Sequence, residues 1–221
     1  MKKLSLRLET LLSMIPTNVH YLVDVGADHG YFILEAIARK RVESGMAVEN
    51  KKGPYTHLVE MVKKYHFENQ VETSFSSGLE KVKVPLDLAL IAGMGTPTIL
   101  SILHHDIEKL KDIHYLLIDA HNQLPELRKE VTRLGYKIIG EEIVEEEQVF
   151  YELVLFERGE ESYLQEDYDF GPILRKEKDA TFKKKWQGKI QKNLELLKNP
   201  LLTENRKKEL MDKIHYWEKQ L

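Results

Sequence analysis

The chain contains no cysteine, which excludes disulfides, thiolate metal sites and cysteine nucleophiles. It has no apolar run that approaches the length of a membrane span. The N-terminus, MKKLSLRLETLLSMIP, opens basic, but Arg7 and Glu9 interrupt it before a signal-type apolar core can form. What is left is the composition of an ordinary globular protein, 42% hydrophobic and 31% charged. Its 221 residues suffice for one sizeable α/β domain and a small appendage. A cytoplasmic setting, with no membrane partner, is expected.

The net charge of −3 hides an asymmetry. From Gly171 to Leu221 there are 14 Lys and Arg against 7 Asp and Glu, a local net of +7, which leaves −10 for residues 1–170. An acidic body with a basic tail points to two modules, expected over 1–160 and 161–221, the second with affinity for polyanions. A lysine-rich solvated helix surface explains the same count equally well.

Hydrophobic periodicity orders the body. Leu4, Leu8, Leu11, Leu12 and Ile15 predict a short amphipathic helix that Pro16 closes. Strands then alternate with helices: HYLVDV, GMAVE, QVETSF, LDLALIAG and HYLLIDA are apolar strand runs, and Gly135 is the C′ residue of the helix PELRKEVTRLGY. The segment YKIIGEEIVEEEQVFYELVLFER divides into two strands around an acidic turn. Such alternation predicts a mostly parallel, doubly wound sheet, and the terminal hairpin resembles that of Rossmann-like class I S-adenosyl-L-methionine (SAM) methyltransferases. In the tail, Phe182, Trp186, Ile190, Leu194 and Leu197 form one helical stripe and Leu210, Ile214, Trp217 and Leu221 another, with Asn199-Pro200 between them and Thr203 as an N-cap. These predict an antiparallel, coiled-coil-like helical hairpin whose stripes pack on each other.

Ligands of open α/β sheets bind beyond the carboxyl ends of the strands. The first loop there is DVGADHGYF, from Asp24 to Phe32. A dinucleotide turn would carry a second glycine where this chain has Asp28, and a carboxylate would repel a pyrophosphate. SAM has no phosphate and carries a sulfonium and an ammonium, so Asp28 argues against NAD and is compatible with SAM. We assign the turn residues Asp24, Gly26, Asp28, His29 and Gly30 to this cofactor. Glu49, 23 positions beyond Gly26, ends the second strand where an acid can accept from ribose hydroxyls. Ser77 and Gly78 follow the third strand near the expected adenine, although a plain turn explains them as well. Gly93 and Gly95, in IAGMGTP, clear side chains from a strand end where cofactor and substrate can meet. His104-His105 makes a poor metal site, since adjacent helical residues point about 100° apart, and no metal is expected.

These residues resemble the bacterial tRNA (adenine-N1)-methyltransferases that act on position 22 of tRNA. The resemblance rests on the turn Asp24–Tyr31, the stretch AVENKKGPY, IAGMG at 91–95, Phe150-Tyr-Glu-Leu153 and the pattern FGP-x-L-x-K-E at Phe170–Glu177. It implies SAM as cofactor, tRNA as partner and methylation of an adenine N1. The family commonly has GDGL or NGL where this chain has Ser77-Gly-Leu, and QPN where it reads Asp119-Ala-His-Asn122. The roles that follow are Asp28 near the methyl-transfer centre, Tyr31 as a stacking group, and Asp119 or Asn122 on the adenine N6 amino group. A monomer is expected. Two alternatives remain: a SAM-dependent methyltransferase of small molecules, and an RNA-binding relative that has lost turnover through the 119–122 change.

Overall fold

The computed structural model describes residues 3–221, so the first two residues of the basic opening lie outside it. The chain runs α1 (Leu6–Met14), β1 (Tyr21–Val25), α2 (Tyr31–Ala38), β2 (Ser44–Glu49), α3 (Lys52–Lys64), β3 (Val71–Phe75), β4 (Leu86–Met94) and α4 (Thr96–His105). It continues through α5 (Ile107–Leu110), β5 (Ile113–Ala120), α6 (Leu124–Arg133), β6 (Tyr136–Glu146) and β7 (Val149–Arg158). The tail holds α7 (Gln165–Phe170), α8 (Leu174–Glu177), α9 (Ala180–Leu197) and α10 (Glu204–Glu218). Among the described residues the seven strands form one sheet, ordered β3-β2-β1-β4-β5-β7-β6. The first five are parallel, and β7 runs antiparallel to both β5 and β6. No helix among the described residues is long and apolar enough to cross a membrane.

The central strands β1, β4 and β5 are buried on both faces, as their unbroken Val, Leu and Ile runs require. Two core layers result. One packs α1, α2 and α3 through Leu11, Ile33 and Leu58; the other packs α4 and α6 through Ile99, Leu103 and Leu127.

The tail helices form where the stripes place them, with Asp179 and Thr203 as N-caps. Their packing differs from the expectation in two respects. Phe182 and Trp186 do not pack only between the two helices, because they join Ile143, Phe170 and Leu174 in a third apolar cluster against the body. The Trp186 ring lies 4.5 Å from that of Phe170. Toward the tip the stripe fails: Leu194, Leu196 and Leu201 are exposed, since the body no longer backs the hairpin there.

Beneath that cluster lies a buried charge network that no sequence pattern announces. Arg128 on α6 is fully buried; its Nε donates to Glu141 on β6 (2.7 Å) and its Nη2 to Glu152 on β7 (2.5 Å). Lys185 on α9 closes onto the other oxygen of Glu152. Arg128 Nη1 also donates to the Tyr168 carbonyl, and Glu141 accepts from the backbone of Ile173 (2.9 Å). A Cβ on Gly171 would stand 2.6 Å from the Glu141 carboxylate, and its φ is +86°, so glycine is required there. Two family-like motifs thus have structural roles: Glu152 sits within Phe150–Leu153, and Gly171 and Ile173 within Phe170–Glu177. Removing Arg128 would leave Glu141 buried without a cation and Glu152 with Lys185 alone, whereas removing Lys185 leaves both carboxylates their Arg128 partner. We expect Arg128→Ala to cost about 3–5 kcal/mol of unfolding free energy in urea titrations, and Lys185→Met clearly less. Equal losses from the two would refute the hierarchy.

Candidate functional site

Parallel strands bring the loops after β1, β2, β3, β4 and β5 to one sheet edge, and a cleft of about 540 Å³ opens there. It is continuous with a second of about 390 Å³, the two sharing Gly26, Asn50, Met94 and Thr98. Their sizes are those of ordinary small-molecule sites.

The turn after β1 is built on left-handed backbone. Gly26 has φ +77°, Asp28 +51° and Gly30 +73°. Asp is among the few non-glycine residues that adopt this region at small cost. A Cβ on Gly26 would stand 2.3 Å from the Met94 Cε, so β1 and the end of β4 approach closely. Gly30 precedes α2, and a Cβ there would meet Leu58 at 2.4 Å. The Asp28 side chain is 65% exposed at the cleft, with His29 Nε2 3.7 Å from its carboxylate. His29 in turn lies edge-on to Tyr31 (5.9 Å) and His57 (4.5 Å). Tyr31, at the start of α2, lines the same cleft.

Glu49 is buried, and its carboxylate is largely occupied. It accepts from the backbone N–H of Asn50 (2.9 Å), Lys51 (2.8 Å) and Asp28 (3.1 Å). Three of about four acceptor positions are therefore taken. The residue expected to accept both ribose hydroxyls first holds the Asp28 turn to the end of β2, leaving room for one further donor.

Asp24 on β1 is buried at the cleft floor. Burial, and then the negative charges of Glu49 and Asp28, push its pKa up from 3.8 to about 7. Among the described residues none of these three carboxylates pairs with a lysine or arginine. This side of the cleft is thus a group of acids with no cation paired to it, although Arg7 and Lys51 also line the cavity.

The second cleft is the more apolar end, lined among others by Val25, Val48, Gly78, Pro97 and Ile102. Gly78 adopts φ +52°, and Ser76, Ser77 and Ser101 all line the slot, the Ser76 hydroxyl being bonded to that of Ser74 (2.8 Å).

The loops after β4 and β5 are stapled together. His121 N donates to the Met94 carbonyl (2.9 Å), Thr96 N to Asn122 Oδ1 (3.1 Å), and Thr96 Oγ1 to the Asn122 carbonyl (2.6 Å). Gly93, at φ +76°, faces open space toward His121, and Gly95 is the N-cap of α4, beside the Asn122 amide. Asp119 is wholly buried. One oxygen of its carboxylate pairs with Arg7 of α1, and the other, Oδ1, is buried with no hydrogen-bond partner among the described residues. Arg7 itself lines the cleft and stands over the Tyr151 ring of β7, 4.8 Å from its centroid. Sequence reading missed Arg7 and Tyr151, because Arg7 meets Asp119 across 112 residues with no local motif to mark either. The described residues contain no group of three or more His, Asp or Glu that could hold a metal.

The raised Asp24 pKa has a definite sign. Between pH 4 and 7 the folded chain keeps a proton that the unfolded chain has released, so stability falls as pH rises through this window and then levels. Asp24→Asn should abolish that loss. Its stability advantage over the parent, read by urea unfolding, should grow from pH 4.5 to pH 7.5; an equal gap at both would refute the assignment.

Comparison with known proteins agrees with this geometry. The family profile described as TrmK, tRNA (adenine(22)-N(1))-methyltransferase, matches residues 22–219. A curated Bacillus subtilis (strain 168) tRNA (adenine(22)-N(1))-methyltransferase is 31% identical over 196 residues, covering 86% of this chain and 82% of the relative. The crystal structure of the B. subtilis m1A22 tRNA methyltransferase TrmK superposes with a TM-score of 0.85 at 28% identity, covering 99% of this chain and 98% of that one. The Streptococcus pneumoniae protein Sp1610, solved in complex with S-adenosyl-L-methionine, gives 0.90 at 30% identity, with 99% and 100% covered.

Proposed function

The chain belongs to the tRNA (adenine(22)-N(1))-methyltransferase family, and we infer that it transfers the methyl group of SAM to N1 of adenine 22 in tRNA. The observation that carries this reading is the set of three carboxylates, Asp24, Asp28 and Glu49, around a glycine turn without a lysine or arginine partner. Bound SAM supplies the missing cation and an electrophilic methyl on its sulfonium. Gly26 and Gly93 keep side chains out of the floor where methyl and base meet. The slot lined by Val48, Ser77, Gly78 and Ile102 takes the adenine, and Glu49 offers its remaining acceptor position to the ribose.

Adenine N1 attacks with an in-plane lone pair, so no proton has to be removed first and no strong general base is needed. Placement is the chain's main task. The methylated base is a cation, which the exposed Asp28 carboxylate favours. N1 lies on the Watson–Crick edge, so the base must be exposed or flipped at a cost of a few kcal/mol. Tyr31 at the cleft wall is positioned to stack on it. Family membership favours this reading over a small-molecule methyltransferase or an inactive relative. We expect the protein to methylate unmodified tRNA at adenine 22, seen by mass mapping, and Asp28→Ala to lower the rate at least about 10-fold. Methylation elsewhere, or none, would refute the reading.

We further propose that the protein works as a cytoplasmic monomer and that the hairpin α9–α10 docks the tRNA backbone. Lys183, Lys192, Lys208, Lys213 and Lys219 are exposed there, with no ion pair among the described residues. The hairpin cannot be tested by deleting residues 172–221, since Lys185 and Trp186 seal the body. Reversing charge at Lys192, Lys208 and Lys213 is the milder probe. If these lysines meet phosphates, the slope of log K against log salt should flatten by about 0.9 per lost contact. An unchanged slope would place the RNA elsewhere.

A further inference from the structure

Among the described residues Arg7 is the one arginine lining the cleft, and its partners on β5 and β7 place it across β4 from β1 and β2. The carboxylates that await a cation lie over β1 and β2. Asp119 and Tyr151, which hold Arg7, belong to β5 and β7, beyond β4 in the sheet order. A cofactor over β1 and β2 with its reactive end toward β4 leaves the space over β4 and β5 to the methyl acceptor. Arg7 faces this space with Ala92 and Gly93.

Two contacts hold the guanidinium, and a third holds the backbone beneath it. Nη1 pairs with Asp119, the guanidinium stands over the Tyr151 ring, and the Arg7 backbone N–H donates to Glu146 Oε1 on β6 (3.4 Å). The side chain keeps 21% exposure. Among the described residues only Nη1 of its guanidinium donors is engaged, and Nε is buried with no partner. With one carboxylate already on Nη1, the guanidinium keeps a donor for one further acceptor, and a neutral ring nitrogen would take it without competing for the charge that Asp119 holds. On an adenine whose N1 must stay free, and whose sugar edge carries the ribose, the open acceptor is N7 on the Hoogsteen edge.

We propose that Arg7 donates a hydrogen bond to N7 of the target adenine, and that Asp119 and Tyr151 are positioning residues that hold its guanidinium in place. The proposal rests on the N1-methylation reading above. An N7 contact orients the ring so that N1 points at the methyl; it does not by itself separate adenine from guanine, which shares N7.

The test is single-turnover methyl transfer at saturating SAM, on tRNA assembled from synthetic fragments with adenosine or 7-deazaadenosine at position 22. The parent enzyme should methylate the 7-deaza RNA about 10- to 100-fold more slowly, the factor set by a charge-assisted hydrogen bond. Arg7→Ala should be slow on both RNAs and indifferent to the swap, and Arg7→Lys should recover part of the difference. Asp119→Asn should shrink the parent's preference, an effect that a merely structural role would not produce. SAM affinity, by calorimetry, should be unchanged in all three variants. Equal parent rates on the two RNAs would overturn the proposal without any variant having to fold. So would a loss of SAM affinity in Arg7→Ala that matches its rate loss, since the guanidinium would then hold the cofactor's carboxylate. A parent enzyme that ignores adenosine RNA as well would instead sink the methylation reading, and this proposal with it.

Discussion

The pairing of Arg128 with two buried carboxylates is the constraint on which the arrangement of this molecule depends. A guanidinium and two carboxylates without solvent are costly unless each finds its partners. The partners come from four separate elements: α6, β6, β7 and, through Lys185, α9. Burial pushes Glu152 up, but Lys185 and Arg128 outweigh it and hold its pKa well below the usual carboxylate range. Satisfying this network requires the terminal hairpin of the sheet, the α7–α8 connection and the tail helices to close together. A buried ion set of this kind is weak as a source of net stability and strong as a specification of one arrangement. The lysine-rich tail is consequently fixed to the body at its base and unsupported only toward its tip, where Leu194 and Leu201 are exposed.

The same strand links that network to the cleft. Glu152 and Tyr151 are neighbours on β7, and successive residues of a strand point to opposite faces. Glu152 faces Arg128 and Lys185, while Tyr151 faces Arg7. The tail and the far wall of the cleft are therefore set by adjacent residues on one strand. Two acidic groups in this protein thus have opposite fates. Glu141 and Glu152 are buried with cations already present, whereas Asp24, Asp28 and Glu49 surround a space that a cation must enter. The first group builds structure, and the second creates demand for a ligand.

What was legible in the sequence follows from this division. The strands, the turn from Asp24 to Tyr31, the end of β2 at Glu49 and both tail helices are local patterns, read from periodicity and glycine placement. The short helices α7 and α8 span too few residues to show a period. Glu141 and Glu152 lie in a strand pair so rich in acids that nothing distinguishes the buried ones from the solvated ones. Glu49 does end β2 and line the cleft, but its bonds to the Asp28, Asn50 and Lys51 backbone depend on how the turn folds back, which spacing alone does not show. Arg7 looked only like an interruption in an apolar helix, because its partner is remote in sequence.

The loop at 119–122 illustrates how such a remote pairing changes the meaning of a motif. Set against the family's QPN, the sequence Asp119-Ala-His-Asn122 reads as a lost element on the substrate side. In the structure Asn122 ties the end of β5 to the start of α4 through Thr96, which keeps the two loop ends together. The new feature is a carboxylate at position 119, wholly buried, where burial pushes its pKa up although Arg7 opposes this. An ionised carboxylate in such a place is costly without a cation against it, and α1 supplies one from 112 residues away. Asp119 and Arg7 are then a coupled pair of charges at the wall of the cleft. The pair, together with the Tyr151 ring, holds a guanidinium at that wall.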